Sequence, residues 1–502
     1  MRFKKLLPMA VLGTAAMSAC QDAPLAPGPR SPGTSVDAHR EKEKEKVSVC
    51  HNAAADGDVI RISPAALGAH LRHGDYAAGL VVSKEIGNLG DGVHFARITD
   101  ALAAARASRV AHEETAAASC RITIAVGAGV FTGSAQASTD PTFERFPLTI
   151  DVPDITIEGA FRMQVDADGR ATDASDGPEL TALAASPGLK SPTLAGVSQS
   201  QLAEPMFIVT DAVDGPGGAG AVIEGFVFRS GNEAATAANG GNAVYALRAR
   251  GLVIRGNRIE AGFSEPLQLS GSSAHVLHNH IGGKRERCTL CLAGPGDFRI
   301  AGNRILGSGL DAIFITPISD LRVPPSLRPR TFPVASAVTA TVTNNDIRGF
   351  QAAPSGVALR LGALGVRTAQ VIGSVRVRAT DNQFIGNTFG VVVEGAFPVA
   401  GMGNRGDVSL KLRRNVIQSC QSDLLVAFTR YSTALGVTTG SVFQTAAWLQ
   451  GSAFELDLGR DIAWSDAWYA HPAGFANALV VNGQIVPNGI HVAYDPTRAC
   501  PV

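Results

Sequence analysis

Four positions share one offset from a repeated asparagine and carry groups suited to acid–base or anion chemistry. Glu265, Arg287, Asp311 and Asp423 each stand eight residues after an Asn, at positions 257, 279, 303 and 415. If successive repeats stack as coils, Glu265, Arg287 and Asp311 lie one above another, with the two acids two rungs, ~9.6 Å, apart. That is near the upper end of the separation at which an acid and a base can act on opposite sides of a glycosidic bond, and an arginine between them suits a sugar carboxylate or an oxyanion. These three are the catalytic candidates. The same residues also read as an exposed ladder of alternating charges, which contributes little. The Pro-stiffened insertion that follows carries Arg322, Arg328 and Arg330 close to Asp311 in sequence. Guanidinium groups grip carboxylates bidentately, so Arg287, Asp311, Arg322, Arg328 and Arg330 form the candidate ligand-binding set for an acidic polysaccharide.

A second constellation lies in residues 47–80, where Cys50, His51, His70 and His73 could supply the thiolate and imidazole donors of a tetrahedral zinc site. His70 and His73 are about one helical turn apart, which suits a shared ion. Adjacent Cys50-His51 is not the usual ligand spacing, and a disulfide at Cys50 would remove the thiolate, so a packed, hydrogen-bonded structural module is the competing reading. No other cofactor is implied. The segment resembles a short Cys-His…His-x-x-His-Gly-Asp module that recurs in secreted bacterial proteins, a resemblance that carries no activity with it.

The elements that must position these groups are legible as a repeat. Asn257-Arg-Ile259, Asn279-His-Ile281, Asn303-Arg-Ile305, Asn345-Asp-Ile347, Asn382-Gln-Phe384 and Asn415-Val-Ile417 follow one another at spacings of 22, 24, 42, 37 and 33 residues. A spacing near 22 is one turn of a three-sided β-helix, and the longer ones are single turns carrying insertions. Asn tolerates the left-handed backbone of a tight bend, and its amide can bond the Asn of the next coil. The Ile two residues on shares its facing and fills the interior, stacked ~4.8 Å from its equivalents. No coil buries its apolar face alone, so stacking supplies the core.

Upstream, Ile98, Ala101, Leu102 and Ala105 recur at helical spacing, and the strands Ile122–Val126, Val130–Thr132, Leu148–Ile150 and Ile155–Glu158 follow. This order resembles the opening of pectin-lyase-like right-handed parallel β-helices, pectinesterases included, in which a helix covers the open strand edges of the first coil. The resemblance carries no catalytic residues. The aspartate pair and arginine of the pectinesterases are missing, Ile385-Gly-Asn-Thr-Phe-Gly390 has no aspartate at the nucleophile position, and the paired aspartates and Gly-His-Gly of polygalacturonases are also missing. Asp166, Asp168, Asp173 and Asp176 cluster in a Gly/Ser/Ala-rich insertion that reads as a solvated loop. Trp448, Trp464 and Trp468 fall near the C-terminus and read as a cover for the last coil or a sugar-stacking platform.

At the N-terminus a basic start (Arg2, Lys4, Lys5) and an apolar run from Leu6 to Met17 form a secretory signal, too short to span a bilayer. Met17-Ser18-Ala19-Cys20 resembles the lipobox of bacterial lipoproteins, which implies that Cys20 carries diacylglycerol and that the membrane is a partner. Gln21 after it resembles outer-membrane sorting. Of the 7 cysteines, the six others make disulfides plausible in 15 pairings. Cys288-x-x-Cys291 reads as a structural disulfide or two stacked thiols, because no βαβ pattern surrounds it. The Pro/Gly/Ser stretch and Glu41–Lys46 run cannot bury a core and read as a tether. Lys plus Arg and Asp plus Glu are 44 each, a balance that excludes a general phosphate-binding surface and hence nucleic acid.

The expectation is therefore an all-β protein: a signal over 1–20, a tether over 21–46, a small α+β Cys/His module over 47–80, and a right-handed parallel β-helix solenoid over 91–502 with an N-terminal capping helix and a C-terminal cap. Its expected role is that of an exported, lipid-anchored envelope protein at the outer membrane or cell surface. There it binds carbohydrate or serves a structural role, the alternative being a lyase or glycoside hydrolase on an acidic polysaccharide.

Overall fold

Short apolar strands alternating with Gly- and Asn-bearing bends cannot close a core within one turn, and here each turn lays its strands beside those of the turn before. The computed structural model describes residues 46–51, 57–112, 120–134, 143–172, 181–185, 205–210, 218–229, 241–260, 262–263, 265–282, 288–307, 309–317, 337–351, 356–363, 373–395, 406–427, 454–463, 466–471, 479–487, 489–491 and 500. Val47–Val502 forms one compact unit; the signal, Cys20 and all of the tether but Lys46 lie outside the described residues. Among the described residues there are three sheets: a 3-stranded antiparallel sheet I, a 14-stranded sheet II and a 19-stranded sheet III. Sheets II and III are parallel apart from pairings at their C-terminal ends. The architecture is an all-β parallel β-helix.

One coil shows the logic. Leu252–Arg255 lies in sheet II, Arg258–Ile259 and Leu267–Ser270 lie in sheet III, and Ala274–Leu277 returns to sheet II beside Leu252–Arg255. Two walls thus belong to sheet III, and they fuse where the long strands Gln383–Gly395 and Val416–Ala427 run through both. Inward residues align rung by rung: Ile254, Val276, Ile300, Val342, Ala379 and Leu412 form one column, each fully buried. Ile259, Ile281, Ile305, Ile347, Phe384 and Ile417 form another. Each buried aliphatic side chain contributes about 1.5–3 kcal/mol, and only the stack provides the burial.

The asparagines run through the bend between these columns. The backbone N–H of Asn257, Asn279, Asn303, Asn345 and Asn382 each donates to the next ladder Oδ1 at 2.9–3.0 Å. Their Nδ2 groups donate to the same oxygens at 2.8–3.1 Å. Asn415 closes the series on Asp461 Oδ2, an acid that no Asn-x-Ile pattern would have found. One detail differs from expectation. The left-handed residue is the one before each ladder Asn, namely Gly256, His278, Gly302, Asn344, Asp381 and Arg414, all with φ between 52° and 65°. The ladder Asn is chosen for its amide, because its backbone and side chain are both fully committed to neighbours in a buried bend. At Gly302 a Cβ would also collide with Gly169 O and the His278 ring, where the 166–171 loop crosses the coils.

Residues 47–80 run directly into the solenoid. Val47–His51 pairs with Asp58–Ile62 and Tyr76–Ala77 in sheet I, with helix α1 (Pro64–Arg72) between them and Pro64 at its start. The next strand, Gly79–Val82, already belongs to sheet II beside Ile122–Val126, and Cys50 is disulfide-bonded to Cys120. The seam is closed by Tyr76, whose hydroxyl donates to Cys120 O, and by Arg109, which donates to the same oxygen at 2.6 Å; burial pushes the Tyr76 phenol up. Helix α2 (Ile98–His112) buries Ile98, Ala101, Leu102 and Ala105, as the spacing predicts. Its first N–H groups donate to the buried Glu144: Ile98 N to Oε1 at 2.7 Å and Thr99 N to Oε2 at 3.0 Å. Burial pushes the Glu144 carboxyl above its usual range, against these bonds.

Candidate functional site

On the outer side of sheet III, the strands that begin at Leu267, Cys288, Asp311 and Val357 carry the expected column. Leu267 pairs with Leu290, Cys288 with Asp311, and Asp311 with Val357. Two residues before Leu267, Glu265 therefore sits at the rung of Cys288, and its carboxylate and the two sulfurs of Cys288 and Cys291 lie within 4.8 Å of one another. The column is Glu265, Cys288, Asp311, Val357, Phe389 and Ser422, so the place expected for Arg287 belongs to Cys288 and that expected for Asp423 to Ser422. The slip arises because the coil from Asn279 to Asn303 has 24 residues where the one before it has 22. One added residue before the strand moves its outward position from the eighth to the ninth after the Asn. Arg287, Arg322, Arg328 and Arg330 lie outside the described residues.

Glu265 and Asp311 do share a column, but they are 7% and 1% exposed, with the Cys288–Cys291 disulfide at the rung between them. Asp311 Oδ2 accepts from Arg360 Nε at 3.0 Å, and Arg360 is itself 1% exposed. Asp423 Oδ1 accepts from Ser419 N at 2.9 Å. The Asp311 carboxylate is thus held against a guanidinium out of water. Sequence reasoning missed Arg360 because no repeat motif marks it; it stands opposite Phe314 in the next column.

The outer side of sheet II is different. His275, Arg299, Thr341, Arg378 and Lys411 occupy successive rungs of one column, all exposed. Arg376, also exposed, stands two residues before Arg378 on the same face. Four rung steps separate His275 from Lys411, ~19 Å along the axis. Lys411 approaches Asp457 at 3.8 Å, while Arg299, Arg376 and Arg378 enter no ion pair among the described residues. Acids border the row: Asp297 begins the neighbouring column and Glu455 ends it, with Thr339, Arg376 and Ser409 between. The 44-to-44 charge balance conceals this local excess of fixed cations. The repeat carried the signal for it, since His275, Arg299, Thr341, Arg378 and Lys411 each stand four residues before a ladder Asn.

The zinc set expected from residues 47–80 is changed by the structure. Cys50 is bound to Cys120 and has no thiolate to offer, and His73 is an exposed residue at the end of α1. His51 and His70 instead converge on Asp75, which the sequence reading passed over: both Nδ1 atoms contact its Oδ2, at 2.9 and 2.7 Å.

No family model matches the chain, and no curated protein matches it. Among solved structures, the A-module of mannuronan C-5 epimerase AlgE6 from Azotobacter vinelandii is similar at 11% identity, covering 78% of this chain and 100% of the module, with a TM-score of 0.27. A likeness at that level does not bear on the site.

Proposed function

We propose that this chain is an exported envelope lipoprotein whose β-helix binds an acidic polysaccharide along the exposed cationic row of sheet II. The observation that carries the reading is the row itself: Arg299, Arg378 and Lys411, with Arg376 beside them, aligned along the solenoid axis on a wall that stacking holds rigid. Arg299 and Arg378 stand two rungs, ~9.6 Å, apart with Lys411 one rung further, a line of cations that suits a linear polymer bearing carboxylates, and Arg offers the bidentate geometry that carboxylates take. A lyase or hydrolase would need acids open to the polymer, and the acids of the sheet III column are buried. The anchoring half of the reading is supported by Met17-Ser18-Ala19-Cys20 alone.

Binding is tested with polygalacturonate, a neutral glucan of similar length and anionic phospholipid vesicles, at low ionic strength. Arg376→Glu/Arg378→Glu should weaken polygalacturonate binding by at least about tenfold, with added salt weakening the wild type in the same direction. Stability should stay within about 0.5 kcal/mol, because both side chains are on the surface. Equal binding of the glucan, binding of vesicles alone, or an unaffected double variant would overturn the proposal. Cys20→Ala should move the protein from the membrane to the soluble fraction and abolish acyl labelling. An unchanged membrane pool of the variant removes the lipoprotein reading.

A further inference from the structure

His51, His70 and Asp75 come from three different elements: the end of the first strand, the last turn of α1 and the residue after the Gly74 turn. Each is fixed. His51 follows the Cys50–Cys120 disulfide, Asp75 N donates to His70 O at 3.2 Å, and Gly74 takes φ +88° so that the chain can turn back onto the helix end. The three donor atoms lie within 4.8 Å of one another, Asp75 is 5% exposed, and the two imidazole rings meet edge to face at 5.4 Å. The His51 and His70 side chains are 40% and 24% exposed, which leaves the cluster open to ions from solution.

We propose that His51 Nδ1, His70 Nδ1 and an Asp75 carboxylate oxygen bind a divalent zinc-class ion. Two imidazoles and one carboxylate are a donor set that Zn²⁺ accepts, with three protein ligands and the fourth position left for water or an exogenous group. Tetrahedral bonds of about 2.0–2.1 Å place donors about 3.3 Å apart. The contacts of 2.9 and 2.7 Å must therefore open by about half an ångström, a movement within reach of two partly exposed rings. No proton leaves the protein if both imidazoles are neutral: each carries its proton on Nε2 while Nδ1 gives its lone pair to the ion. The buried Asp75 charge then faces a dication in place of two imidazole N–H groups, which favours the bound state further in a poorly solvated setting.

The test is calorimetric titration of chelator-treated, dialysed full-length protein with Zn²⁺. Wild type should bind one ion per chain and melt at a higher temperature when loaded. His51→Gln and His70→Gln should each weaken binding by at least about tenfold and lose the thermal shift. His51→Gln alters the more exposed ring, so its fold is the least at risk, and circular dichroism confirms it before titration. Folded wild type with no saturable Zn²⁺ binding, or undiminished affinity in both variants, would show that the triad is a hydrogen-bonded clamp and overturn the proposal.

Discussion

Replacing Asn303 with alanine will destabilise the solenoid by about 3–5 kcal/mol, far more than its size suggests. Asn303 is fully buried, and its Oδ1 accepts from both Asn279 N and Asn279 Nδ2. Its own Nδ2 donates to Val276 O, Ala301 O and Asn345 Oδ1. Alanine deprives two buried donors on the coil below and carbonyl oxygens on its own coil and the coil below of these bonds, with no water to replace them. Each unsatisfied buried group costs about 1–3 kcal/mol. Leucine would not help, since the bend has room for an amide and the partners remain polar. Asn415→Ala should cost less, because that residue is 7% exposed and its outer partner is the Asp461 side chain. Because coils stack on nearest neighbours, the loss should appear first as faster amide exchange in the strands Ala274–Leu277 and Gly296–Ala301, next to the cut rung. A change in denaturation midpoint equivalent to less than about 1 kcal/mol, with unchanged exchange there, would mean that the ladder is decorative.

The ladder and core were legible because both repeat. Period and residue type together define a coil, and a buried amide tolerates no substitute. What the sequence hid was register. A single added residue between Asn279 and Cys288 put Cys288 where Arg287 was expected, and no composition rule reveals one residue in a loop. Asp75 was hidden for a related reason: it follows His73-Gly74 and reads as turn chemistry, yet the left-handed Gly74 folds it back beneath two histidines. The cationic row of sheet II was legible in the repeat but went unread. Arg299, Arg378 and Lys411 stand four residues before Asn303, Asn382 and Asn415, so the alignment on the repeat Asn that gives the column eight residues after it gives this row as well.

Arg360→Met will cost about 3–5 kcal/mol, while Arg360→Met combined with Asp311→Leu will recover most of that loss. Both side chains are 1% exposed, and Arg360 Nε donates to Asp311 Oδ2 at 3.0 Å. Removing the guanidinium alone takes from the buried Asp311 carboxylate the charged Nε–H that its Oδ2 accepts, in a site where desolvation costs several kcal/mol per ion. Removing both charges leaves an apolar pair beside Val357, Phe389, Val392 and Leu425, which already form a buried cluster on the same outer side of the sheet. The surroundings therefore suit methionine and leucine, and the double variant should unfold near the wild-type midpoint, a coupling of several kcal/mol in a double-mutant cycle. Polygalacturonate binding by the double variant is the discriminating measurement. If Asp311 belongs to the wall, affinity is unchanged, since the row carrying Arg376 and Arg378 lies on sheet II. A double variant that keeps its stability but loses binding would return Asp311 to the ligand site and place the binding groove on sheet III.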